Sequence, residues 1–214
     1  EAIQKIVSEQ DWDGKMKETD GDYVQLVDAN LASLKSDPAV KRTMTYELDA
    51  TNLEDVRVKM TMNYNHIGSF DWKTTRYNTY TRLYVPEGSE ILSVGGQRND
   101  NTDRRYADAT RLDVTTELGK TAFGGYKSIE PGRKEDLVIE YRLPEKIAEQ
   151  IRAGTYTLLV QKQSGTVDHQ LDVRLKFNKN VVGFSPAEGA NIVNDKEVHV
   201  DSDLKYDRAF TITF

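Results

Sequence analysis

The chain has 214 residues, with 29 Lys and Arg against 35 Asp and Glu, a formal charge of −6 and a pI near 5.2. Scattered basic residues in an acidic chain exclude a nucleic-acid footprint, and no apolar run approaches the roughly 18–20 residues that cross a bilayer as a helix. The absence of cysteine excludes a disulfide framework, a thiol nucleophile and a thiolate metal site; it fits either redox compartment and is common among bacterial surface proteins.

Ala2, Ile3, Ile6 and Val7 follow helical spacing, and Gly14 in Trp12-Asp13-Gly14 supplies a left-handed stop. Because the chain opens without Met inside this periodicity, it reads as a fragment whose membrane or targeting segments lie upstream. Residues 1–37 are expected to be the helix and strand at the tail of that upstream region. Tyr23–Val27 predicts the strand, and Asp28–Asp37 predicts a polar connection carrying Leu31 and Leu34, which Pro38 closes. A β domain over 38–214 follows.

From Lys41 onward the pattern has period two. Met44, Tyr46 and Leu48 alternate with Thr43, Thr45 and Glu47, and Val56, Val58, Met60, Met62 and Tyr64 with Arg57, Lys59, Thr61 and Asn63. Such alternation predicts half-buried strands. Arg82–Val85 predicts another, ended by the Pro86-Glu87-Gly88-Ser89 turn before apolar residues resume at Ile91. Leu112–Leu118, Leu137–Tyr141, Tyr156–Val160, Leu171–Phe177 and the closing Phe210, Ile212 and Phe214 continue the series. Only Pro144–Ala153 reads as a further helix, with Pro at its start, Ile147 and Ile151 one turn apart, and Gly154 as its stop. Gln97–Ala109 is polar enough to form a mobile loop. The fold class is therefore mainly β: an antiparallel sandwich, immunoglobulin-like or related, with a short N-terminal helix and a second near 145–153.

Several short motifs fall in one order: Trp12-Asp13-Gly14-Lys15, Val27-Asp28-Ala29-Asn30, Tyr64-Asn65-His66-Ile67-Gly68, Tyr80-Thr81-Arg82-Leu83-Tyr84-Val85-Pro86, Glu117-Leu118-Gly119-Lys120 and Tyr141-Arg142-Leu143-Pro144. From Trp12 to Lys162 they resemble the C-terminal portion of the domain of unknown function 4012 family. The resemblance implies a bacterial protein anchored by an N-terminal transmembrane helix, with an extracytoplasmic body. It implies no activity for any individual residue. The upstream half of that family is similar to cell-wall polymer ligases of the LytR-CpsA-Psr type, which would put phosphotransfer chemistry outside this chain. None of their Arg/Asp phosphate-handling pattern occurs here.

The aromatic run Phe70, Trp72, Tyr77, Tyr80 and Tyr84 admits two readings, a sugar-stacking surface or the interior filling of a sandwich. Tyr80 and Tyr84 share parity, so one strand face carries both. His66 follows a strand near Asp71 and Trp72 and is a binding or acid/base candidate if a second group converges on it. Asn99, Asn101 and Asp103 have the alternate oxygen spacing that opens a calcium loop, with Asp108 further on. Arg104 and Thr110 stand where an EF-hand needs Gly and a bidentate carboxylate, so only a looser calcium site stays open. Glu47 with Glu140 illustrates a carboxylate pair for glycoside hydrolysis, whose separation only a structure can give. Gly95-Gly96 and Gly124-Gly125 lack the Lys of a phosphate loop and read as turns or bulges. No catalytic residue emerges. The expected function is a non-catalytic, extracytoplasmic structural or interaction module of a bacterial cell-envelope protein, with a protein or glycan partner and no membrane contact of its own. An accessory domain of an envelope glycopolymer transferase and a carbohydrate-binding module are the alternatives.

Overall fold

In the computed structural model, residues 2–9, 14–96, 112–166, 169–187 and 189–214 are described. Among these residues there are fourteen strands, several of them not marked by the alternation: β1 (Asp22–Asn30), β2 (Val40–Ala50), β3 (Arg57–His66), β4 (Tyr77–Pro86), β5 (Glu90–Gly95), β6 (Asp113–Glu117), β7 (Lys120–Ile129), β8 (Lys134–Arg142), β9 (Thr155–Val160), β10 (Gln170–Phe177), β11 (Gly183–Ser185), β12 (Ala190–Asn194), β13 (Glu197–Asp203) and β14 (Arg208–Thr213). Helices α1 (Ala2–Glu9) and α2 (Glu145–Arg152) and a short 3-10 helix (Asp37–Ala39) complete the described elements. The strands form two seven-stranded sheets, in the orders β11-β14-β9-β1-β4-β7-β6 and β12-β13-β10-β2-β3-β8-β5. The fold is a mainly β sandwich, as the alternation predicts. It is mixed rather than wholly antiparallel, because β1 runs parallel to β9 and β2 parallel to β10.

Each sheet turns one parity inward. Met44, Tyr46 and Leu48 of β2, Val58, Met60 and Met62 of β3, and Leu171, Val173, Leu175 and Phe177 of β10 join Leu26, Leu83, Phe123 and Leu158 of the first sheet in one core. Burying the four β10 side chains alone is worth about 6–12 kcal/mol before conformational entropy is subtracted. Helix α2 closes one side with Ile147, Ala148 and Ile151 buried. Pro144 precedes it and Gly154, at φ 102°, follows it. Pro cannot continue a helix backwards and Gly can leave it left-handed, so both ends are set by local chemistry.

Two expectations change. The boundary at Pro38 would leave β1 outside the domain, yet β1 lies between β9 and β4, with Val24 and Leu26 in the core. Its partners are remote in sequence, so a local composition shift cannot reveal the pairing. The Gly124-Gly125 pair sits in an unbroken stretch of β7 ladder, not in a turn or bulge. A Cβ on Gly124 would lie 2.3 Å from the Tyr80 hydroxyl, so the missing side chain makes room for that ring. Gly96 does turn, with φ 76°.

Among the described residues two aspartates are buried in the sandwich. Asp22 accepts hydrogen bonds from the Tyr46 hydroxyl (2.5 Å), the Tyr156 hydroxyl (2.6 Å) and the Tyr23 amide (2.7 Å). Asp28 pairs with Arg42 nearby. The Tyr141 hydroxyl is buried near that of Tyr46 but makes no hydrogen bond of ordinary geometry among the described residues. A buried hydroxyl that loses its hydration costs about 1–3 kcal/mol, so Tyr141→Phe is expected to raise stability by about 1–2 kcal/mol in urea unfolding. A loss of stability instead would show that the hydroxyl has a partner in solution.

Candidate functional site

The strand parity that builds the core also separates the aromatic residues. On β4, Tyr77 points inward with Thr79, Thr81 and Leu83, whereas Tyr80, Arg82 and Tyr84 face outward. Tyr77 donates to Asp37 Oδ1 (2.9 Å) and accepts from Arg42 Nη2 (2.7 Å), so it is a core tyrosine and not a surface ring. Tyr84 is buried against Tyr23 and Ala122 on the outer face. Tyr80 lies edge-on to Tyr126 at 4.8 Å, donates to Asp113 (2.6 Å) and carries Arg82 at 4.9 Å from its ring. Of the five aromatics, only Phe70 and Trp72 are freely exposed, at 62% and 80%. The single sugar platform does not assemble.

His66 is fully buried. Its Nδ1 accepts the Gly68 amide (3.1 Å), which leaves the proton on Nε2 to be donated to the Thr75 carbonyl (2.9 Å). With both nitrogens occupied it fastens a loop, and the binding role expected from its position does not hold. The sequence shows a lone His after a strand; only the fold shows that the chain turns back over it.

That loop is half of one end of the sandwich. Residues 31–36 and 67–75 are tied by the Lys35 amide to the Lys73 carbonyl (2.9 Å) and by a bridge between Leu34 and Thr74. The buried Ser36 hydroxyl donates to the Ser33 carbonyl (2.6 Å) and accepts the Thr75 amide (3.0 Å), and Ser33 Oγ accepts the Asn78 amide (2.7 Å). Asp71 caps its own turn by accepting the Thr74 (2.8 Å) and Lys73 (2.7 Å) amides, and these bonds lower its carboxyl pKa to about 2. Ala32 and Leu34 sit at φ 58° and 54°, a conformation costing about 1–2 kcal/mol per residue with a side chain. The clamp holds that strain while Leu34, Ile67, Phe70 and Trp72 stay 56–80% exposed. Apolar residues inside a polar connection, Leu31 and Leu34, are the sequence signal for this end.

A concavity of about 550 Å³ lies over the outer face of the second sheet. Glu47 and Glu140 both line it, but Lys59 of β3 stands in register between them. Glu47 is paired with Arg174 (3.3 Å) and Lys59 (4.0 Å), and Glu140 accepts from Ser93 (3.0 Å). A lysine occupies the row where a sugar oxygen or a water would have to sit between acid and base, so the pair does not form a hydrolytic site. Asn99, Asn101, Asp103 and Asp108 lie outside the described residues.

No protein-family model matches the chain, and no curated relative matches it. Among solved structures, a Legionella pneumophila protein provisionally named as nutrient binding aligns with 90% of this chain and 71% of its own, at 9% identity and a TM-score of 0.46. An M1 zinc metallopeptidase from Deinococcus radiodurans aligns with 91% of this chain and 43% of its own, at 11% identity and a TM-score of 0.33. Likeness at this level carries no functional argument.

Proposed function

We propose that the chain is a non-catalytic interaction module of a bacterial cell-envelope protein and docks a protein partner through the loop end formed by residues 31–36 and 67–75. One observation carries this reading: Trp72, the most exposed aromatic among the described residues, stands with Phe70, Ile67 and Leu34 on backbone that buried hydrogen bonds hold against strain. Strained, over-determined backbone that presents apolar side chains to solvent costs stability and is characteristic of recognition sites. A protein pocket suits the end better than a glycan, because Lys73 lies 4.7 Å from the Trp72 ring and covers one of its faces. The extracytoplasmic setting and the upstream anchor rest on the family resemblance.

Trp72→Ala and Phe70→Ala are expected to leave urea stability within about 0.5 kcal/mol, because both side chains are exposed. In co-purification with the membrane proteins that accompany the full-length protein, each variant is expected to lose about thirtyfold in affinity, the size of an aromatic hot spot. Equal recovery of partners by the wild type and the double variant would remove the loop end from the interface.

A further inference from the structure

We propose that Asp172, His199 and Asp201 form a three-ligand site for a borderline divalent cation of the zinc class, on the outer face of the second sheet and separate from the loop end. His199 and Asp201 are alternate residues of β13 and so share a face, and Asp172 of β10 lies directly opposite Asp201 in the ladder. One ligand atom from each of the three residues falls within 4.8 Å of the other two. His199 Nε2 is 2.8 Å from Asp172 Oδ1 and 3.6 Å from Asp201 Oδ1. Ligand atoms around a tetrahedral Zn²⁺ with bonds of about 2.0–2.1 Å are about 3.4 Å apart, so small side-chain rotations suffice to admit the ion.

The wider surroundings favour the same assignment. Two like charges directly opposite across a ladder destabilise it. Asp172 is paired with Arg174 (2.6 Å), whereas Asp201 lies 3.6 Å from His199 Nε2. Arg174 donates to both oxygens of Asp172 (3.2 Å to Oδ1) and also reaches Glu47 (3.3 Å), so it holds the Asp172 carboxylate in place, as groups outside a metal's ligand shell do. The Asp201 side chain is 81% exposed, so an ion enters from solvent without backbone movement and keeps an open coordination position. An imidazole with two carboxylates suits Zn²⁺ better than Ca²⁺ or Mg²⁺, which take oxygen ligands. The other two histidines of the chain, His66 and His169, are buried.

The test is isothermal titration of the full chain with ZnCl₂, together with the absorption spectrum of the Co²⁺ form. One ion per chain is expected, with the visible bands of a four-coordinate Co²⁺ site and a rise in melting temperature on adding Zn²⁺. His199→Ala and Asp201→Asn are each expected to weaken binding by about tenfold or more. The second variant changes an exposed side chain, so it keeps the test independent of folding. Absence of saturable binding, or unchanged Zn²⁺ affinity in His199→Ala, would overturn the assignment.

Discussion

Arg42→Met is expected to destabilise the fold by about 3–5 kcal/mol, the cost of stranding one member of a buried ion pair. Arg42 projects from β2 of the second sheet, and its Nε donates to Asp28 Oδ2 (2.9 Å) on β1 of the first. The two side chains are 5% and 3% exposed. The remaining guanidinium donors reach the Tyr77 hydroxyl (2.7 Å), the Val40 carbonyl (3.2 Å) and the half-exposed Asp37 Oδ1 (3.4 Å), and the Tyr64 and Tyr77 rings flank it at 5.7 and 5.1 Å. Asp28 also accepts from Thr81 (2.7 Å), Tyr64 (3.0 Å) and Thr79 (3.2 Å). Methionine fills part of the volume but leaves a carboxylate inside the sandwich without its cation. Asp28→Asn in the Arg42→Met background removes that charge, so the double variant is expected to recover part of the loss. The urea midpoint measures both effects. A loss below about 1 kcal/mol for Arg42→Met would mean that water reaches this network.

Asp22 sets the second large effect, a dependence of stability on pH. Burial raises its pKa from 3.8 to about 6, although hydrogen bonds from Tyr156, Tyr46 and the Tyr23 amide oppose the rise. The folded state therefore binds this proton more tightly than the unfolded chain. Its contribution is fully present below pH 3.8 and falls as pH rises through about 6. A shift of about two pH units corresponds to about 3 kcal/mol. Asp22→Asn copies the neutral form and is expected to be more stable than the wild type at pH 8 by up to that amount, with the difference shrinking toward pH 4. Carboxylates held low by partners, such as Asp55 and Asp71, act with the opposite sign. The wild-type-minus-variant difference isolates Asp22. If urea stabilities of the two proteins run parallel from pH 4 to 8, Asp22 stays charged in the fold.

The two effects share a cause that no local pattern contains. Asp22 and Asp28 have inward parity on β1, which makes them core residues, but an acidic residue at such a position reads from sequence as a strand boundary or a turn. Their partners come from other strands: Tyr46 and Arg42 from β2, Tyr156 from β9, and Tyr64 from β3. The same limit applies to His199, whose neighbour Asp172 is 27 residues away and becomes adjacent only when β10 and β13 pair.

Features that depend on near neighbours along the chain were legible in the residues alone. Period-two alternation set which side chains of β2, β3, β8 and β10 form the core, and Pro144 and Gly154 bounded α2 through their own backbone restrictions. Which strands are neighbours is set by the folded molecule. It placed β1 inside the sheet, divided the aromatic run between core and surface, enclosed His66 and left Trp72 at the loop end. Strand alternation fixes a side chain's face but is silent about pairing, and the contacts that make a site are made between strands.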